Sequence, residues 1–148
     1  MREQIEAMKA IWTVDKAEYH GELVDFPPMM TWPKPVQKPH PAIIVGGAFR
    51  FAARRALRYG DGIIPQGSSA GSGEPEEFVP RFRQMAHEAG RDPKSLPVTL
   101  GGAPEDPDRL KRYRDLGVAR MNVRLPPAKA DEILPMLDRW AKLIPQLH

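Results

Sequence analysis

Pro41-Ala42-Ile43-Ile44-Val45-Gly46-Gly47-Ala48-Phe49-Arg50-Phe51-Ala52-Ala53-Arg54-Arg55 passes from a β-branched run through two glycines into an Ala- and Arg-rich helical pattern. The reading is a strand, a tight turn and the start of a helix. Glycines at such a turn let backbone N–H groups meet a ligand with no Cβ in the way, and the helix N-terminus behind them carries partial positive charge. Phosphate is the guest this geometry suits. A Gly-Gly pair after a strand is also ordinary turn chemistry, so the pair alone does not decide between the two readings.

The same rhythm repeats downstream. Strands are predicted at residues 42–45, 62–65, 98–101 and 119–124, each short, as in a parallel sheet covered by helices. A helix over 49–59 stops at Gly60, and one over 76–89 stops at Gly90 with Phe78, Phe82, Met85 and Ala89 inward. A third takes Asp106 as its N-cap and Pro107 in its first turn, and buries Leu110, Tyr113 and Leu116 before Gly117. The fourth, over 130–144, should turn Ile133, Leu134, Leu137, Trp140, Ala141 and Ile144 inward, with Pro135 starting its main segment or kinking it. Gly67-Ser68-Ser69-Ala70-Gly71-Ser72-Gly73 lacks the Gly-Lys-Ser/Thr ending of a P-loop and reads as a loop at the ligand-facing end of the sheet. Gly101 and Gly102 end the third strand at the same side. In the last strand Ala119, Met121, Val123 and Leu125 alternate with Arg120, Asn122 and Arg124, which directs Asn122 and Arg124 into a lumen or ligand pocket.

Upstream, residues 1–12 form a helix with Ile5, Met8, Ile11 and Trp12 as its buried stripe, and it starts with no Ser, Thr, Asp or Asn cap before it. Residues 13–41 are a Pro-rich connection. Pro27, Pro28, Pro33, Pro35, Pro39 and Pro41 forbid a helix and favour extended chain without ladder pairing. Phe26, Met29, Met30, Trp32 and Val36 are interleaved with them, which argues for an ordered connection anchored by its apolar side chains, or for a lid over a pocket.

The 148 residues, 41% hydrophobic, suffice for a single domain with its own core. There is no cysteine, so disulfides, thiolate metal sites and cysteine nucleophiles are excluded. His20, His40, His87 and His148 do not pair at metal-ligand spacing, and no metal site is expected. No nucleophile elbow supports covalent hydrolysis. The net charge of +3 is mild, and Arg50, Arg54, Arg55 and Arg58 recur at helical spacing without aromatic platforms, so nucleic acid is not an expected partner. No apolar run spans a bilayer and no secretory leader is present, from which a cytoplasmic location without membrane attachment is expected.

Six segments stand in series: Glu6-Ala7-Met8-Lys9-Ala10-Ile11-Trp12-Thr13, Tyr19-His20-Gly21-Glu22, Val24-Asp25-Phe26-Pro27-Pro28, Trp32-Pro33-Lys34-Pro35-Val36-Gln37-Lys38-Pro39-His40-Pro41, Val45-Gly46-Gly47 and Arg54-Arg55-Ala56-Leu57-Arg58-Tyr59-Gly60-Asp61-Gly62. The series closely resembles the luciferase-like monooxygenases and deazaflavin (F420)-dependent oxidoreductases, densely over residues 3–65 and more loosely to the end. The resemblance implies an α/β fold, a (β/α)8 TIM barrel, which takes about 250 residues. The expectation is therefore the C-terminal half of a barrel: a helix, a Pro-rich connection and, over 42–148, four βα units, with four strands missing upstream and a truncated start.

The resemblance also implies that the cofactor, coenzyme F420 or FMN, carries the redox chemistry, while Gly46, Gly47 and Ala48 hold its phosphate. Phe49 departs from the family pattern, where a small hydroxyl residue often follows the glycines, so the amides alone would make the contact unless Arg50 compensates. Catalytic residues are not identified, because those that flank the reactive ring come mostly from the missing strands. The expected function is part of an oxidoreductase that moves hydride to or from a small organic substrate, the isolated chain being inactive. The alternative is a non-catalytic half-barrel module. In either case the open sheet edges predict a homodimer, or pairing with a separate N-terminal half.

Overall fold

The computed structural model describes residues 1–66 and 73–147; the stretch from Gly67 to Ser72 lies outside the described residues. The chain forms two compact units, Met1–Ile43 and Ile44–His148, a finer division than the one domain counted from the sequence.

In the first unit, helix α1 (Arg2–Thr13) is followed by an antiparallel hairpin of β1 (Lys16–His20) and β2 (Asp25–Met30). This corrects the expectation of extended, non-laddered chain over 27–41, since Pro27 and Pro28 lie within β2. The register explains their tolerance. Ala17 pairs with Met29 and Tyr19 with Phe26, so both prolines fall in the irregularity opposite Glu18, where no ladder donor is needed. The expected stripe of α1 is also corrected: Glu3 and Ala7 are buried, whereas Ile5, Ile11 and Trp12 are half-buried and Met8 is exposed. Glu3 sets that face, because its carboxylate accepts the backbone N–H groups of Leu23 (2.7 Å) and Val24 (3.1 Å) in the hairpin turn. The hydrogen bond from Leu23 holds the Glu3 carboxyl below its ordinary pKa, against the opposing effect of burial. Lys34 closes the other end of α1 on the carbonyls of Ile11 and Val14, both at 2.6 Å. Met30, Trp32 and Val36 are exposed rather than packed, while Phe26 stacks on Tyr19.

The second unit is α/β. Strands β3 (Ile44–Gly47), β4 (Gly62–Pro65), β5 (Val98–Gly101) and β6 (Val118–Asn122) form a parallel sheet in sequence order, each followed by a helix: α2 (Phe49–Tyr59), α3 (Pro75–Glu88), α4 (Pro107–Asp115) and α5 (Ala130–Leu143). These are the four βα units expected. Val45, Ile63 and Val98 are buried on the sheet with Ala52, Ala53, Phe78, Val79 and Phe82 from the helices, whereas Ile44 and Ile64 are only half-buried. Gly60 ends α2 in an extended conformation, not the left-handed one common at helix ends; it is needed for close approach, since a Cβ there would lie 2.7 Å from Val45 Cγ2.

Helix α5 departs most from expectation. It runs through Pro135 from Ala130, and none of its residues is buried; Leu134 and Leu137 are exposed, as is Ile144 just past its end. A 3.6-residue period produces an apolar face, but burial needs a partner surface, and none of the described residues covers the outer part of this one.

Candidate functional site

Gly46, Gly47 and Ala48 come together where β3 runs into α2, at the C-terminal end of the sheet. Gly47 has φ +118°, a conformation that L side chains rarely adopt, and its carbonyl accepts the N–H of Gln66 at 3.0 Å, tying the turn to the end of β4. Ala48 is the N-cap of α2 and provides no capping side chain, and the first turn has no acidic residue. The first turn of a helix is short of intrahelical acceptors; here Phe51 N–H is taken by Ala48 O at 3.0 Å, and the turn presents a positive dipole end with no acidic side chain of its own. At Gly46 a Cβ would sit 3.7 Å from Ile64, in ordinary contact, so the chain itself has room for one.

The neighbouring side chains resolve two points left open by the sequence. Phe49 is buried, with its ring centroid 5.4 Å from that of Phe78, so the departure from a small hydroxyl residue serves the α2–α3 core. Arg50 lies over the Phe51 ring at 4.3 Å, on the helix surface. The cation that reaches the turn is Arg55, whose Nη2 donates to Gly46 O at 2.8 Å. Sequence reasoning missed it. The signal was available: helical side chains point toward the N-terminus, so a long cation two turns into α2 reaches back over the strand end.

Beside the turn, a cavity of about 490 Å³ opens at the ends of β4 and β5. Pro65, Phe78, Leu100 and Tyr113 supply apolar wall, and Glu74, Arg109 and Arg124 supply charge. Gln66 belongs to its lining and also bonds the Gly47 turn, so the two features adjoin. Arg109 Nη2 lies 3.3 Å from Glu74 Oε2, and its guanidinium stands 5.6 Å from the Tyr113 ring centroid; bonding to Tyr113 above all, with Glu74 adding to it, raises its pKa further. Gly73, Gly101, Gly102 and Arg124, all singled out in the sequence, line this cavity, whereas Asn122 is exposed and offers its carbonyl to the N–H groups of Gly102 and Ala103. His40 bonds Pro41 O through Nδ1 at 2.9 Å in the first unit. Among the described residues no three His, Asp or Glu side chains are grouped to hold a metal, and no helix is long and apolar enough to cross a membrane.

The family model for luciferase-like monooxygenase matches residues 1–105. An uncharacterised protein of Mycobacterium tuberculosis (strain ATCC 25618 / H37Rv) is 38% identical over 146 residues, covering 95% of this chain and 49% of its own length. The FMNH2-dependent dimethylsulfone monooxygenase of Pseudomonas putida is 42% identical over 67 residues, 45% of this chain and 18% of that protein. The F420-dependent glucose-6-phosphate dehydrogenase of Segniliparus rotundus (strain ATCC BAA-972 / CDC 1076 / CIP 108378 / DSM 44985 / JCM 13578) is 30% identical over 92 residues, 62% of this chain and 27% of that one. In fold, the chain is similar to an F420-dependent secondary alcohol dehydrogenase solved in complex with an F420-acetone adduct, with a TM-score of 0.70 at 13% identity, covering 97% of this chain and 60% of that one. The chain thus spans about half the length, or less, of the curated relatives it matches.

Proposed function

Since the chain belongs to the luciferase-like monooxygenase family, we propose that it forms the phosphate-binding part of an FMN- or F420-dependent oxidoreductase acting on a small organic substrate. The observation that carries this reading is the Gly46-Gly47 turn, with φ +118° at Gly47, leading into an α2 N-terminus that has neither a side-chain cap nor an acidic residue. The residues present fit the phosphate end of either cofactor. Gly46, Gly47 and Ala48 would hold it, and Arg55 fixes the turn and adds positive charge beside it. When bound, the cofactor supplies the hydride chemistry; this chain's residues bind and orient its phosphate end.

Binding, rather than turnover, tests the proposal. Titration of the protein with FMN and with F420, followed by their fluorescence, is expected to saturate for at least one. Gly46→Ala, which the chain accommodates, should weaken that binding about tenfold or more, at about 1.4 kcal/mol per tenfold, with an unchanged melting temperature. Equal affinity in wild type and variant would show that the phosphate lies elsewhere.

A second reading, assembly with another copy of the chain, is favoured by the exposed Leu134 and Leu137 on α5 with Ile144 just past its end, and by β3 and β6, which lie at the two edges of the sheet. A self-complementary patch is most simply buried by a symmetric partner. Sedimentation equilibrium at micromolar concentration is expected to report a dimer. A folded, strictly monomeric species would rule this reading out.

A further inference from the structure

We propose that the cavity at the ends of β4 and β5 binds a small organic oxoanion, a carboxylate or phosphate ester with an apolar body, and that Arg124 is its anchor. As a binding site it stands without the proposed function; as the seat of a substrate it rests on that reading.

The volume, about 490 Å³, lies within the range of small-molecule sites, and the position outside the carboxyl ends of parallel strands is where α/β sheets place ligands. The walls specify an apolar body, since Phe78, Leu100 and Tyr113 are buried side chains that turn part of their surface to the cavity. The charges specify the other end. Arg109 is matched by Glu74 at 3.3 Å, whereas Arg124 makes no ion pair with any described residue, so the cavity carries one uncompensated guanidinium.

The backbone donors at the end of β5 and at the start of α4 are already used. Gly102 and Ala103 donate to Asn122 O at 3.1 and 2.9 Å, and Asp106 Oδ1 takes the first-turn amides of Asp108 and Arg109 at 3.0 and 3.2 Å. On the β5 and α4 side of the cavity anion recognition therefore falls to side chains, unlike at the Gly46-Gly47 turn. A guanidinium presents a planar fork of N–H donors that matches the two oxygens of a carboxylate or phosphate, and apolar walls strengthen that pairing relative to open water. An exposed arginine that merely solvates itself would show no such preference.

Calorimetric titration of the whole chain with benzoate and with phenyl phosphate, and with benzyl alcohol as the neutral counterpart, tests the proposal. Saturable binding of at least one anion is expected, with benzyl alcohol at least about tenfold weaker. Arg124→Gln should lose about tenfold in anion affinity, Arg124→Lys should recover only part of it, and both should melt with wild type because the position is exposed. No saturable binding of either anion up to roughly 10 mM, equal affinity for benzyl alcohol, or unchanged affinity in Arg124→Gln would each overturn it. Titration of FMN and F420 into the same samples separates the two ideas: lost anion binding with cofactor binding retained refutes this inference alone, and the reverse refutes only the proposed function.

Discussion

Valine at position 47 is expected to abolish binding of the cofactor's phosphate end, with affinity falling at least about a hundredfold, or roughly 2.7 kcal/mol. Two effects act together. The φ of +118° is strained for any L residue and more so for a β-branched one, at a cost of about 1–3 kcal/mol. The new Cβ would also stand 2.8 Å from Arg55 Nη2, the atom that holds Gly46 O. Either the turn relaxes and its donors lose their aim, or Arg55 leaves. A lower melting temperature accompanies both, by roughly 2–4 °C per kcal/mol for a chain of 148 residues, so affinity should be compared well below the transition. Wild-type affinity for FMN or F420 in Gly47→Val would remove the turn from the binding site.

The parts of the fold that were legible in the sequence are those fixed by local chemistry. The four strand–helix units follow from short apolar runs bounded by glycine, and β4 and β5 match the predicted residues at both ends. Asp106-Pro107 foretold its helix, because a carboxylate that accepts the amides of Asp108 and Arg109 acts within three residues. The hairpin of β1 and β2 was hidden by Pro27 and Pro28, since a register irregularity that accommodates them has no sequence signature of its own. Burial on α1 and α5 was misjudged for a related reason. Periodicity locates an apolar face, but which face is covered depends on distant contacts, such as the turn amides that draw Glu3 inward.

The candidate site divides along the same line. The Gly46-Gly47 turn was legible because its conformational demand is local, whereas Arg124 follows the end of β6, so strand alternation does not explain why it lines the cavity and Asn122 does not. Arg109 and Glu74 are 35 residues apart, and nothing in either segment announces the pair. Arg55 was read only as one of several helix-face cations, although its length and position allowed it to reach the turn.

Arg83→Met is expected to destabilise the second unit by about 3 kcal/mol. The half-buried Arg83, from α3, donates through Nη1 to Pro93 O and to Leu96 O at 2.9 Å, and through Nη2 to Gly117 O at 2.9 Å. One guanidinium thereby serves carbonyls of the connection before β5 and of the turn before β6. Burial lowers its pKa, but a guanidinium remains charged at any working pH, so each bond is charge-assisted. Methionine keeps an apolar stem and removes every donor, leaving those carbonyls to lose partners beside the fully buried Leu96 and Val98. Lysine should restore only part of the loss, because an ammonium cannot reproduce the fork that spans both connections. The measurement is urea unfolding, read as a lower midpoint at constant slope. A midpoint equal to wild type would mean that the fork holds nothing together. The expected loss bears on function, since β5 delivers Leu100 and Gly101 to the cavity and Arg124 follows β6 into it.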